Sequence, residues 1–241
     1  MEKNRKFRII ELIRSAEGGM KEHYINLVKG LQKNGIEVTA LCNFREVEME
    51  DLRKHNIEVL PFSLKGELNP INDLQALIKV VKILKKQDVD IIHCHGFKAG
   101  LIGRMAAWIT GCPCVYTIHN FLPEAVSKIK RMAAIWIEKT LFFKTDYIIA
   151  VSQALKKYAI NTFGIPEDRI EVVYNGIQIP QSEDDGICIR KKWGIKEDDI
   201  LVGTVARLIR SKGIDFLIKA IPKILSQYPN VKFMIVGSGP E

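Results

Sequence analysis

Ile91-Ile92-His93-Cys94-His95-Gly96 and Cys114-Val115-Tyr116-Thr117-Ile118-His119-Asn120 carry the signature of the fold. Each is a short β-rich run that ends in polar residues and a turn. Working outward, comparable runs occur at Phe7 to Ile13, Glu37 to Cys42, Ile57 to Phe62, Tyr147 to Val151 and Ile170 to Tyr174. Runs this short, rich in Val and Ile and separated by helical patterns, are strands of a parallel α/β sheet buried on both faces.

The intervals support that reading. Met20, Tyr24, Leu27, Val28 and Leu31 fall on one helical stripe that Asn34-Gly35 closes as a C-cap. Ile71, Leu74, Leu77, Ile78, Val81 and Leu84 form a second stripe behind Asn69-Pro70, and a third helix is expected from Pro123 to about Phe143, because Pro suits a first turn. After Gly176 the pattern breaks. Residues 178–199 read as a polar linker with one short helix around Ile189 to Trp193. Buried strands are then expected at Ile200 to Val205 and Val231 to Val236, with a helix from Gly213 to Ser226 between them. The expected organisation is a first α/β domain over residues 1–177, the linker, and the start of a second α/β domain over 200–241. So short a second domain buries too little surface to close a sheet, and the chain is expected to be a fragment, inactive alone and prone to associate.

The 241 residues are 47% hydrophobic and 27% charged, which excludes disorder, collagen and coiled coil. No apolar run approaches the roughly 20 residues that span a bilayer. Five cysteines in odd spacing make no disulfide framework, so a reducing, cytoplasmic setting is expected. The basic N-terminus reads as the approach to a first strand, since Glu11 and Arg14 interrupt the apolar run of an export signal.

The net charge of +8 is uneven: Phe97 to Tyr158 holds nine basic residues against three acidic ones. A surplus of that kind suits an anionic partner, although scattered lysines also solvate helix faces. Within the third helix, Val126, Ile129, Met132, Ala133, Trp136 and Ile137 form an apolar face near Lys128, Lys130 and Arg131. This is the pattern of an interfacial helix on anionic lipid, and equally of a core helix. Exposed aromatics do not interleave the cations and no recognition motif accompanies them, so nucleic acid is not the expected partner.

Ligands in open α/β sheets sit beyond the carboxyl ends of the strands. There, Glu17-Gly18-Gly19 enters a helix, and paired glycines let a phosphate or sugar approach backbone N–H groups, although they also make a plain tight turn. His95 and His119 end two strands, each placed where an imidazole can meet a hydroxyl; a histidine hydrogen-bonded at a strand end is the bland alternative. For His119 an adjustable proton state is expected. A zinc site from His93, His95, Cys94, Cys112 and Cys114 lacks the ligand spacing of structural zinc and is not expected. Arg207 and Lys212 flank a strand-to-helix connection, where two cations can reach one diphosphate.

Together these residues resemble the retaining glycosyltransferases of family 4, with the GT-B fold of two Rossmann-like domains. The resemblance rests on seven motifs in order: Glu17-Gly18-Gly19, residues 90–96, residues 116–120, Ile149-Ala150-Val151-Ser152, Val173-Tyr174-Asn175-Gly176-Ile177, Gly203 to Lys212, and Val236-Gly237-Ser238-Gly239-Pro240-Glu241. It implies sugar transfer, with retention, from a nucleotide-sugar donor to a lipid-linked or envelope-polysaccharide acceptor. It also implies no metal and no cofactor. By it, His119 meets the transferred sugar, Gly18, Gly19, Arg207, Lys212 and Gly237 serve the donor, and His95, Asn120, Ser152 and Asn175 line the acceptor side or cleft. Family members acting on lipid-linked acceptors dock on membranes, so a peripheral place on the inner face of the cell membrane is expected. The competing reading is a non-catalytic sugar- or membrane-binding module of the same fold.

Overall fold

The computed structural model describes residues 6–66, 69–122, 127–177, 179 and 187–241. The chain divides into two compact units, Met1–Gln178 and Ile179–Glu241. Unit one holds seven parallel strands, β1 (Arg8–Ile13), β2 (Glu37–Cys42), β3 (Glu58–Pro61), β4 (Ile91–His95), β5 (Cys114–Ile118), β6 (Tyr147–Ala150) and β7 (Ile170–Val172), in the order β3-β2-β1-β4-β5-β6-β7. Between them run α1 (Gly19–Lys33), α2 (Glu46–Lys54), α3 (Pro70–Lys86), α4 (Gly96–Thr110), α5 (Lys128–Phe142) and α6 (Gln153–Phe163).

Strand alternation splits the core in two. Ile9, Ile13, Val38, Ala40 and Cys42 pack against Tyr24, Ile25 and Val28 of α1 and Met49 and Leu52 of α2. On the other face, Ile10, Leu12, Leu41, Ile92, Cys94, Cys114 and Tyr116 pack against α3 to α6. The chain therefore leaves β1 toward one face and β4 toward the other, and the two strands are neighbours. A crevice opens where such a sheet reverses direction, at the carboxyl ends of β1 and β4.

Two helices differ from their sequence reading. Half of the stripe expected to bury α3 does so: Leu84 is buried and Leu77 and Val81 pack on the core, whereas Ile71, Leu74 and Ile78 are exposed and Ala76 and Val80 face the core instead. Asn69 does cap α3, accepting from the Asn72 N–H at 3.1 Å. The expected start of α5 at Pro123 lies outside the described residues, and the helix itself begins at Lys128, capped by Ser127 accepting from the Lys130 N–H.

Unit two holds α7 (Ile187–Lys192), β8 (Ile200–Val205), α8 (Ile214–Leu225) and β9 (Val231–Val236), with β8 and β9 paired in parallel. Both expected strands form, and their apolar faces are left largely uncovered, as expected of so short a second domain. Val202, Val205 and Val236 are exposed, and α8 buries no residue. A sheet of two strands with one helix has too few layers to cover its own apolar faces.

Candidate functional site

The polar residues of unit one converge at the β1/β4 reversal. Glu11 and His93 are register partners on β1 and β4, and His95, two residues on, shares their face. Glu11, a charge in the middle of an apolar strand, is wholly buried. Its Oε1 lies 3.2 Å from His93 Nδ1 and its Oε2 lies 2.6 Å from His95 Nε2. His93 Nε2 reaches Thr117 Oγ1 on β5 at 2.7 Å, and His95 Nδ1 lies 3.1 Å from His119 Nε2. The Tyr24 hydroxyl donates to the Glu11 carbonyl at 2.9 Å. Every member of the cluster therefore has a polar partner, as buried polar groups require.

The α1 N-terminus completes the site. Gly18 adopts a φ of 73°, a conformation that favours glycine, and a side chain at Gly18 or Gly19 would enter open space. Their exposed backbone is thus free of steric cover. The β4–α4 turn lies against the same helix, since a Cβ at Gly96 would sit 3.2 Å from Met20 Sδ. One turn into α1, the His23 ring stands 5.2 Å from that of His119. Lys21 is buried and held by Glu17 and Glu48, each at 2.7 Å, so it serves its own loop.

Electrostatics fix the protonation states. Burial alone would raise the Glu11 carboxyl, but attraction and hydrogen bonds from His93 and His95 outweigh it and hold the group at about 2. Burial, reinforced by His93, lowers His95 to about 4 despite Glu11. Burial and then the repulsion of His95, His23 and His93 lower His119 to about 2. His119 is thereby held as a neutral imidazole at pH 7, a form that can orient a hydroxyl.

His95 has no exposed surface and is bonded to His119, so the expectation of a cleft-lining His95 is corrected to a position behind that ring. Asn120 and Asn175 are exposed. Ser152 is the N-cap of α6, accepting from the Leu155 N–H at 3.2 Å. The weighed zinc set does not assemble: Cys94 alternates to the opposite face and belongs to the core of α3 to α6. Two other groups have ligand atoms within 4.8 Å of one another, His23 with His95 and His119, and Glu11 with His93 and His95. Neither Glu11 nor His23 was recognised from sequence. The signal for Glu11 was available as the lone charge between Ile10 and Leu12.

In unit two, Arg207 follows β8 and Lys212 ends a short 3-10 turn before Gly213, which caps α8 at φ 65°. Both cations are exposed. Gly237 lies against the Ala206 carbonyl, where a Cβ has no room, so its lack of a side chain is already required by its own chain. The Leu208 N–H bonds Ser238 O at 2.9 Å, which joins the Arg207 segment to the glycine loop.

On the outer side of unit one, α5 has two apolar faces. Ala134, Glu138, Leu141 and Phe142 are buried, and Arg104 of α4 grips Glu138 with two bonds of 2.9 and 2.8 Å. On the opposite face Ile129, Met132 and Trp136 are 80, 69 and 68% exposed. With Ala133 they form an i, i+3, i+4, i+7 crest, which Lys128 and Lys139 flank on one side and Lys130 on the other at 100° per residue. Two of the nine cations counted in the basic segment leave the surface total, because Lys98 and Arg104 are buried and paired with Asp73 and Glu138.

A parallel sheet with helices on both faces and its polar cluster at the reversal, followed in the chain by a second βαβ unit, is a Rossmann-like α/β architecture. The chain belongs to Glycosyltransferase Family 4, whose model matches residues 17–180, and residues 187–241 match Glycosyl transferases group 1. It is 31% identical over 218 residues to a capsular polysaccharide biosynthesis glycosyltransferase, CapM, of Staphylococcus aureus, covering 88% of this chain and 56% of that one. An Escherichia coli UDP-Gal:alpha-D-GlcNAc-diphosphoundecaprenol alpha-1,3-galactosyltransferase is 30% identical over 184 residues, 73% of this chain and 48% of its own. Among solved structures, Anabaena Alr3699/HepE in complex with UDP and glucose superposes with a TM-score of 0.77 at 25% identity, covering 97% of this chain and 61% of that one. The GT-B, Rossmann-like fold read from the sequence is thereby shown. The chain spans about half to three fifths of the length of these relatives.

Proposed function

We propose that this chain forms the acceptor-side domain and part of the donor side of an enzyme that moves a sugar, with retention, from a uridine-diphosphate sugar to a lipid-linked or polysaccharide acceptor. The observation that carries the reading is His119: a neutral imidazole just past the end of β5, bonded to His95 at the end of β4 and with its ring 5.2 Å from that of His23, one turn after Gly19 on α1. A neutral ring there contributes a directed hydrogen bond to a sugar hydroxyl, with no proton transferred. Arg207 and Lys212 supply fixed positive charge for the diphosphate that leaves, the role electrostatic catalysis requires. With those cations neutralising the leaving group, transfer needs no metal. The relatives' names support the donor and acceptor classes.

The acceptor reading is reinforced by α5. An exposed apolar crest flanked by lysines is the form of a helix lying in a lipid interface, and a lipid-linked acceptor presents itself there. No described helix is long and apolar enough to cross a membrane, so attachment is peripheral in this proposal. The test is transfer from radiolabelled UDP-sugars to undecaprenyl-linked acceptors, using the chain extended to the length of its relatives. Labelled product of unchanged anomeric configuration is expected. Binding of sugar or vesicles without any transfer would favour the non-catalytic module.

A further inference from the structure

The roles given to His119 leave Glu11 unexplained. A carboxylate with no exposed surface, inside an interior strand of the sheet, is costly to desolvate even when paired. An apolar residue would pack β1 without that cost. The geometry shows what the carboxylate does to its neighbours.

An ionised carboxylate only accepts hydrogen bonds. The 2.6 Å contact from Glu11 Oε2 therefore requires a proton on His95 Nε2. A neutral His95 then carries a bare lone pair on Nδ1, and Nδ1 is the atom that faces His119 Nε2 at 3.1 Å. His119 must in turn hold its proton on Nε2 and donate it to His95. Only Nδ1 of His119 remains, as an unprotonated acceptor. Each tautomer follows from the one before it, from strand β1 through β4 to the end of β5. His93 is fixed by the same carboxylate and by Thr117, which keeps it from offering His95 a competing partner.

We propose that Glu11 and His95 are positioning residues that set the tautomer of His119, so that this ring meets its ligand as a hydrogen-bond acceptor through Nδ1. The ligand part of this statement rests on the function proposed for His119; the tautomer part does not. A sugar hydroxyl is both donor and acceptor, and a ring with one fixed tautomer selects the orientation in which the hydroxyl donates. The arrangement parallels the way a carboxylate fixes a histidine's ring and tautomer in other sites, here extended through a second imidazole.

Long-range proton–nitrogen correlation spectra of the 241-residue chain read the tautomer of each of its five histidines directly. The expected result at pH 7 is His119 neutral, protonated on Nε2 by at least about tenfold over Nδ1. Finding it protonated on Nδ1, or on both nitrogens, overturns the proposal. Glu11→Met removes the acceptor at similar volume. His95 is then expected to move its proton to Nδ1 and donate toward His119, so that the His119 preference inverts or falls to within a few-fold. Glu11→Gln, whose carbonyl oxygen can still accept from His95, is expected to restore it. If Glu11→Met keeps the original preference, Glu11 does not act through His95. Should Glu11→Met fail to fold, His95→Phe makes the same test by deleting the Nδ1 acceptor, and an unchanged His119 ratio there sinks the relay. In the extended protein, His119→Ala with normal turnover would refute the transfer role of His119 while leaving the measured tautomer chain in place.

Discussion

Glu138→Ala should be among the most damaging single changes to the first unit, and the structure sets the scale. Arg104 and Glu138 are 0 and 1% exposed, joined by two bonds of 2.9 and 2.8 Å. The Tyr116 hydroxyl also donates to Glu138, at 3.2 Å, and the guanidinium lies 4.0 Å from the Tyr116 ring centroid. Removing the carboxylate leaves a buried guanidinium whose remaining hydrogen bond among the described residues is to the Gly100 carbonyl, at 2.8 Å. Breaking a buried pair from one side costs about 3–5 kcal/mol, whereas replacing both partners with apolar groups is often close to neutral. Thermal unfolding followed by circular dichroism should therefore show Glu138→Ala melting about 6–20 °C low, with Arg104→Met/Glu138→Leu much nearer the wild type. The pair also sets the rotation of α5 on α4, so the single variant should weaken vesicle binding as well. A loss below about 1 kcal/mol for Glu138→Ala, or additive losses in the double variant, would refute the reasoning.

Co-sedimentation with anionic vesicles should fall more than about hundredfold when Lys128, Lys130 and Lys139 become Gln, at about 1 kcal/mol each, and should fade with salt; equal pelleting with neutral lipid would contradict this. Acid should destabilise the first unit. His95 and His119 titrate in the fold at about 4 and 2, against about 6.5 when unfolded, while facing Glu11, His23 and His93. Between pH 6.5 and 4 only the unfolded chain takes up those protons, so stability is full above about 6.5 and falls by up to about 1.4 kcal/mol per pH unit for each ring. Glu11, held at about 2, adds stability that is lost only below its unfolded value of about 4.3. Urea midpoints at pH 7, 5.5 and 4.5 should show the fall, with His119→Gln flattening it by about half. Gly103→Ala should cost about 1–3 kcal/mol, because its Cβ would run into Cys94 Sγ and lie 3.1 Å from a Leu12 methyl; an unchanged urea midpoint would contradict that packing.

Strands were legible because a buried parallel sheet leaves unbroken apolar runs, and the strand ends led to His119, Gly18 and Gly19. Side-chain pairings across long separations were not legible. Arg104 and Glu138 counted as surface charge from composition, yet they meet across 34 residues in the core. Glu11 read as a mere interruption until the β1–β4 register set it opposite His93. In α3 the stripe was half right: Leu77, Val81 and Leu84 meet the core, but the large Ile71, Leu74 and Ile78 lie outward and the small Ala76 and Val80 lie inward. The strands of unit two were legible as apolar, and so was the shortage of layers to cover them.

Turnover of a UDP-sugar by His119→Ala, in the protein extended to the length of its relatives, separates a transfer role from a structural one. An intact fold, little change in KM and a kcat lower by about a hundredfold or more are expected, as the loss of one transition-state hydrogen bond gives. Normal kcat in a folded variant would contradict the transfer role.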